Sequence, residues 1–196
     1  MGKEFEAKVL LTPDEYINIL EQEVVTLGIK KSDIYYSKYS STEEAIKNNE
    51  SLTRIRTEAD KAYLTLKKKE LVSGFENNEE YETRIGNVEI VKKLLLEAGY
   101  SPYFKKYKTS HTISICPPPI SIGGVEVHIE LEKVENSTRT EKSTYKRLYA
   151  LEIEAVASAG LDIHTEELAE VVKTYFNYFN KTEKDFETRS WRNLLG

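Results

Sequence analysis

The chain has 196 residues, 39% of them hydrophobic and 31% charged, enough for one soluble domain over 1–196 with a real core. A net charge of −5 argues against a broad nucleic-acid surface, which needs a basic surplus, although 28 Lys and Arg leave room for a local basic site. The lone cysteine, Cys116, excludes an intramolecular disulfide, and no stretch approaches the roughly 18 apolar residues of a membrane span. With Lys3 and Glu4 opening the chain rather than an apolar signal segment, a reducing cytoplasm is the expected setting, with no membrane partner.

In chain order, alternating runs predict a strand over 3–10, then a helix in "TPDEYINILEQEVVTLG". That helix has Thr12 as N-cap, Pro13 at the first helical position, Glu15 at the third and Gly28 as its stop. A strand over 33–39 and a short helix over 42–49 follow. Strands are then predicted over 52–57, 61–68 and 79–86. "NVEIVKKLLLEAG" is a second capped helix, from Asn87 to Gly99. Strands over 103–109 and 111–116 come next. "CPPPISIGG" (116–124) is a turn, because three consecutive prolines lack ladder donors. Strands over 124–134 and 149–157 precede a helix starting at Thr165, with Leu168, Val171, Val172, Tyr175, Phe176 and Phe179 on one stripe. Strands joined by turns or single helices predict an α+β fold: an antiparallel sheet that closes or nearly closes, with helices outside.

Most strands carry charge on one face. Glu4, Glu6 and Lys8 alternate with Phe5, Ala7 and Val9; Arg54 and Arg56 flank Ile55; Lys106 and Lys108 flank Tyr107. Glu80 and Glu82, then Glu126, His128, Glu130 and Glu132, then Glu152 and Glu154 repeat the pattern. Residues i and i+2 share a face, so like charges lie about 7 Å apart and repel. A solvated sheet face is the ordinary explanation for alternation. Segregated Glu-x-Glu and Arg-x-Arg strands fit a metal-bound polyphosphate better, with cations for phosphate and carboxylates for Mg²⁺ or Mn²⁺.

These stretches resemble the CYTH domain, or triphosphate tunnel metalloenzyme superfamily. "EFEAK" is similar to its opening Glu-x-Glu-x-Lys signature. "SLTRIR", "YLTLKKK", "EEYETRI", "KKYK", "IELEKVE", "ALEIEA" and "RSWRNLLG" resemble its later segments in order, across nearly the whole chain. The resemblance implies an eight-stranded antiparallel closed β-barrel, a triphosphate tunnel with helices packed outside. It implies a Mg²⁺- or Mn²⁺-dependent hydrolase of inorganic triphosphate or a small organic triphosphate such as thiamine triphosphate. The alternatives are a class IV adenylyl cyclase and a non-catalytic polyphosphate-binding module. Position by position, it implies metal ligands at Glu4, Glu6, Glu132, Glu152 and Glu154, and phosphate ligands at Lys8, Arg54, Arg56, Lys67, Lys106 and Lys108. The catalytic set would be Glu152, Glu154 and Lys8. Glu80, Glu82, Glu130 and His128 fall on the wall without an assigned role. A homodimer is only the default for a soluble protein.

Two departures stand out. The segment 134–149 is longer than the usual short turn, and either folds over a tunnel mouth or lengthens a hairpin. "SDIYYSKYSST" lacks the pattern of the cyclase branch, which weighs against cyclic AMP synthesis. Tyr35, Tyr36 and Tyr39 are read as core or rim packing, His111 and His164 as loop or cap residues, and Trp191 as an anchor for the tail.

Overall fold

Alternation sets the architecture: a strand with one apolar and one charged face must turn one of them away from water or towards a ligand. In the computed structural model, which describes residues 4–40, 42–48, 50–72, 74–136, 145–158 and 160–195, the charged faces turn inward. Strand β1 (Glu4–Leu11) leads to α1 (Pro13–Gln22), the two-residue β2 (Val24–Val25), β3 (Ile29–Ser37) and α2 (Thr42–Lys47). Then come β4 (Leu52–Glu58), β5 (Lys61–Val72), β6 (Phe75–Arg84) and α3 (Val88–Glu97). The chain continues through β7 (Ser101–Ser114), β8 (Val125–Glu135), β9 (Arg147–Ala157), α4 (Thr165–Tyr178), a 3-10 turn (Glu183–Asp185) and α5 (Trp191–Leu195).

The sheet runs β7-β3-β4-β5-β6-β1-β9-β8, every pair antiparallel, and β8 pairs back onto β7. The eight strands of the barrel are therefore closed on one another, each paired on both sides among the described residues. Strand β2 is a short addition to β7, with Val24 opposite Ser114.

The hydrophobic core lies outside the barrel wall rather than within it. Phe5, Ala7 and Val9 of β1, Ile129 and Leu131 of β8, and Leu151, Ile153 and Ala155 of β9 form one apolar surface. The predicted stripe of α4 covers it through Leu168, Val171, Val172, Tyr175 and Phe176, all buried. Phe186 closes this layer, 5.1 Å from the Phe75 ring and 4.9 Å from that of Phe176. Among the described residues, no helix is long and apolar enough to cross a membrane.

Helix boundaries follow local chemistry. Thr12 and Glu15 form the expected capping box. Asn87 accepts the Ile90 N–H at 3.1 Å, and Gly99, at φ +85°, lets two N–H groups return to the Leu96 and Leu95 carbonyls. The first helix stops at Gln22, not Gly28: Val24 and Val25 are β-branched and pair with β7 instead. The two strands expected over 103–109 and 111–116 are one, β7. His111 therefore lies within a strand rather than a loop, with Nδ1 2.9 Å from the Thr26 carbonyl. Strand β3 begins at Ile29 and ends before Tyr39, β5 runs on to Val72, and β6 starts earlier, at Phe75. The start of α4 at Thr165 and the turn at 116–124 match the sequence, and His164 takes the N-cap position. Residues 137–144, the heart of the long 134–149 segment, lie outside the described residues.

Candidate active site

Because directly opposed residues on paired strands share a face, the register assembles the site. Lys8 faces Glu152, which faces Glu130; Glu6 faces Glu154, which faces His128; Lys67 faces Glu80; Asp33 faces both Arg56 and Lys106. These side chains surround a cavity of about 330 Å³ lined by nine carboxylates and six Lys or Arg side chains. So much buried charge is tolerable only because the signs interleave.

One acidic group gathers Glu4, Glu6 and Glu154, with Lys67 and Glu80 beside them. The Lys67 ammonium lies 3.2 Å from Glu6 and 3.4 Å from Glu80. Burial, then the charges of Glu80 and Glu6, push Glu4 up to about 7. Burial, then Glu6 and Glu4, push Glu154 up to about 8.

A second acidic group is Glu130, Glu132 and Glu152, each placing a carboxylate oxygen within 4.8 Å of the others. Lys108 sits among them, against Glu132, 3.4 Å from Glu130 and 3.7 Å from Glu152. Glu132 is fully buried, and burial plus the Glu152 charge push it up to about 8. Burial would raise Glu130 too, but Lys108 and Lys31, the latter at 2.7 Å, hold it well below the usual carboxylate range. Glu152 is also held low against burial, chiefly by Lys108.

The cationic wall is organised by a residue that the sequence reading did not single out. Asp33, with no exposed surface, accepts from Arg56 Nε at 2.8 Å and Nη2 at 3.0 Å, and Lys106 lies 3.7 Å away. Burial would raise it, yet Arg56 keeps it far below its ordinary value. Arg54 donates to Thr65 at 3.0 Å and reaches Glu80 and Glu82, both at 3.4 Å. Lys8 lies 3.5 Å from Glu76. Burial is the main cause that lowers Lys106 to about 8.

Every residue expected at the site lies on the inward face. Glu132 sits deepest, beneath Lys108, while His128 is at the rim, half exposed, 3.8 Å from Glu126. Besides Asp33, the structure brings Glu76, Lys31 and Glu187 to the site, none of them marked by the sequence pattern, and Trp191 does more than anchor the tail. The Trp191 indole N–H donates to Glu152 Oε1 at 3.1 Å, and its ring lies 5.3 Å from the Lys106 ammonium and 5.9 Å from that of Lys8. The signal for Asp33 was present in the i, i+2 set Lys31, Asp33, Tyr35. Tyr36 is buried, whereas Tyr35, expected as core or rim packing, is buried on the inward face, where it lines the cavity with its ring 5.7 Å from the Lys106 ammonium. Cys116 is exposed, away from the cavity.

The donor set fits a hard divalent cation. It is made of carboxylate oxygens, and two buried ones, Glu4 Oε2 and Glu132 Oε2, have no hydrogen-bond partner. One such oxygen belongs to each acidic group. Neither group contains the thiolate or imidazole that softer metals select.

Comparison with known proteins agrees with this geometry. The family model described as the CYTH domain matches residues 2–184. No curated protein matches the chain. Among solved structures, the chain is similar to the PH1819 protein of Pyrococcus horikoshii OT3, with TM-score 0.71 and 22% identity over 98% of this chain and 97% of that one. It is similar to the PH1012 protein of the same organism, with TM-score 0.71 and 18% identity over 98% and 99%. It is similar also to HpAC1 of Hippeastrum, described as having a dominant triphosphatase activity, with TM-score 0.58 and 12% identity over 100% and 95%. At these identities the likeness speaks for the fold. With the family model spanning most of the sequence and the charged barrel lumen in place, the chain belongs to the CYTH domain family.

Proposed function

We propose that the protein is a divalent-metal-dependent triphosphatase that hydrolyses inorganic triphosphate, or a small organic triphosphate, to orthophosphate and the shortened phosphate. The observation that carries this reading is the pairing of six cationic side chains with nine carboxylates in one cavity, beside a cluster of Glu130, Glu132 and Glu152 whose oxygens lie within 4.8 Å of one another. An anion-binding module gains nothing from crowded carboxylates, whose repulsion works against binding an anion.

Lys8, Arg54, Arg56, Lys67, Lys106 and Lys108 grip the phosphoryl oxygens and neutralise the charge that builds on the transferring group. Glu4, Glu6, Glu132, Glu152 and Glu154, joined by Glu130, would hold the cation, Mg²⁺ or Mn²⁺. When bound there, a divalent cation would supply charge stabilisation at the bridging and terminal oxygens. Glu152, ionised because Lys108 stands beside it, accepts a hydrogen bond from water and aims it at the terminal phosphorus. Trp191 keeps that carboxylate oriented. The rate gain comes from positioning and electrostatics, without a covalent intermediate. In HpAC1, which shares the fold, triphosphatase activity is described as dominant, a precedent for hydrolysis in such a barrel.

The test is phosphate release from inorganic triphosphate, thiamine triphosphate and ATP, each with Mg²⁺, Mn²⁺ or EDTA, with cyclic AMP followed in the ATP arm. Metal-dependent release abolished by EDTA is expected, strongest with inorganic triphosphate. Cyclic AMP and pyrophosphate as the products would replace hydrolysis by cyclisation, and tight binding without turnover would leave a binding module.

A further inference from the structure

Strand β6 points Asn78 inward, directly opposite Glu4 on β1. Asn78 is only 4% exposed, and neither Oδ1 nor Nδ2 has a hydrogen-bond partner. A buried primary amide offers two N–H donors and a carbonyl with two lone pairs, and nearly all such groups in folded proteins are satisfied. Its neighbour Glu4 has the same deficit at Oε2. Cβ atoms of directly opposed residues in an antiparallel pair lie about 5 Å apart, so one ion can reach both side chains. Glu154, on β9 at the other flank of β1, stands directly opposite Glu6 and so diagonal to Glu4. Two residues opposed on adjacent strands thus each carry a buried, partnerless oxygen, with the Glu154 carboxyl diagonal to them.

We propose that the Asn78 amide oxygen is a neutral ligand for a divalent cation held with Glu4 and Glu154, at a position apart from the Glu130–Glu132–Glu152 group. An amide carbonyl is a hard ligand of the kind Mg²⁺, Mn²⁺ and Ca²⁺ take alongside carboxylates. A neutral donor adds coordination without adding to the negative charge already crowded around Glu4. This rests on the metal-bound reading of the tunnel but not on hydrolysis.

The experiment is calorimetric titration of the full chain with Mn²⁺ alone, without substrate, together with thermal midpoints in EDTA and in Mn²⁺. Asn78→Leu keeps the volume and removes both polar groups. It is expected to raise the midpoint in EDTA, because an unsatisfied amide is gone, and to weaken Mn²⁺ binding at one site about tenfold or more. The stabilisation given by Mn²⁺ should shrink with it. Asn78→Asp keeps the oxygen and adds charge; it should lower the midpoint in EDTA and tighten Mn²⁺ binding. Mn²⁺ affinity unchanged within about twofold in either folded variant overturns the proposal, as does a wild-type chain that binds no Mn²⁺. Phosphate release by the wild-type chain is scored separately. Loss of Mn²⁺ affinity in Asn78→Leu with no hydrolysis by the wild type would sustain this inference while sinking the triphosphatase reading.

Discussion

Asp33 organises the cationic wall more than any other residue. Its carboxylate holds Arg56 through two hydrogen bonds and faces Lys106, and neither oxygen is open to solvent. Removing one partner from a buried ion pair leaves an uncompensated charge, which costs about 3–5 kcal/mol. Asp33→Asn is therefore expected to lose about 3 kcal/mol or more in urea denaturation. Tripolyphosphate, a replacement anion, should restore more stability to the variant than it adds to the wild type. A loss below about 0.5 kcal/mol would mean that tunnel water solvates Arg56 and Lys106 well enough alone. On the acidic side, Glu4→Gln combined with Glu6→Gln should abolish metal-dependent turnover yet leave the far-UV circular dichroism unchanged, since both side chains face the tunnel rather than the apolar layer. Full activity in that variant would remove both residues from the site.

At the scale of elements, α4 and the C-terminal tail do different work. Helix α4 is the outer half of the core, and Phe176 is fully buried against Phe186. Phe176→Ala should cost about 3–5 kcal/mol, read as a lower urea midpoint, with the tunnel's charge pattern untouched. The tail brings Trp191, the sole tryptophan, against Lys8, Lys106 and Glu152. Its emission should therefore change on titration with tripolyphosphate, and a flat titration under conditions of demonstrated binding would detach the tail from the site. These elements were unequally legible in the sequence. Alternation in β1, β4, β8 and β9 marked strand and inward face together, and with them most of the wall. It failed at Ser110 and His111, where a polar pair broke the apolar period inside β7, although Ser110 faces inward and donates to Glu132 at 3.1 Å. Helix α5 has five residues, too few for any period to show, so Trp191 could be placed only by tertiary packing. Asp33 was obscured for a related reason: its inward set mixes a cation, an acid and an aromatic, and only barrel closure brings Arg56 and Lys106 to it.

For the whole molecule, the unusual feature is carboxylates held above their ordinary range in a chain whose stability must tolerate them. Glu4 at about 7, and Glu132 and Glu154 at about 8, all stand above the ordinary 4.5. Between these limits the folded state binds more protons than the unfolded chain, so stability falls as pH rises. Asp33, Glu130 and Glu152 have the opposite sign, but their contribution is already complete above pH 4.5 and is lost only on further acidification. Lys106, lowered to about 8, adds stability only as pH climbs above that value. The window from pH 6.0 to 7.5 therefore isolates the raised carboxylates. In EDTA the unfolding free energy should drop there by on the order of 2 kcal/mol, or roughly 4–8 °C in thermal midpoint. Divalent cation should act the other way. Bound only by the deprotonated carboxylates of the folded state, as proposed, saturating Mg²⁺ should stabilise more at pH 7.5 than at 6.0 and flatten or invert the slope. Midpoints at the two pH values, with EDTA and with Mg²⁺, make the comparison in one experiment. A midpoint that rises with pH in EDTA would mean that the carboxylates are not crowded, and the cation would then lose its electrostatic reason to bind. A falling midpoint rescued by Mg²⁺ would make the metal a structural partner of the tunnel as well as a participant in its chemistry.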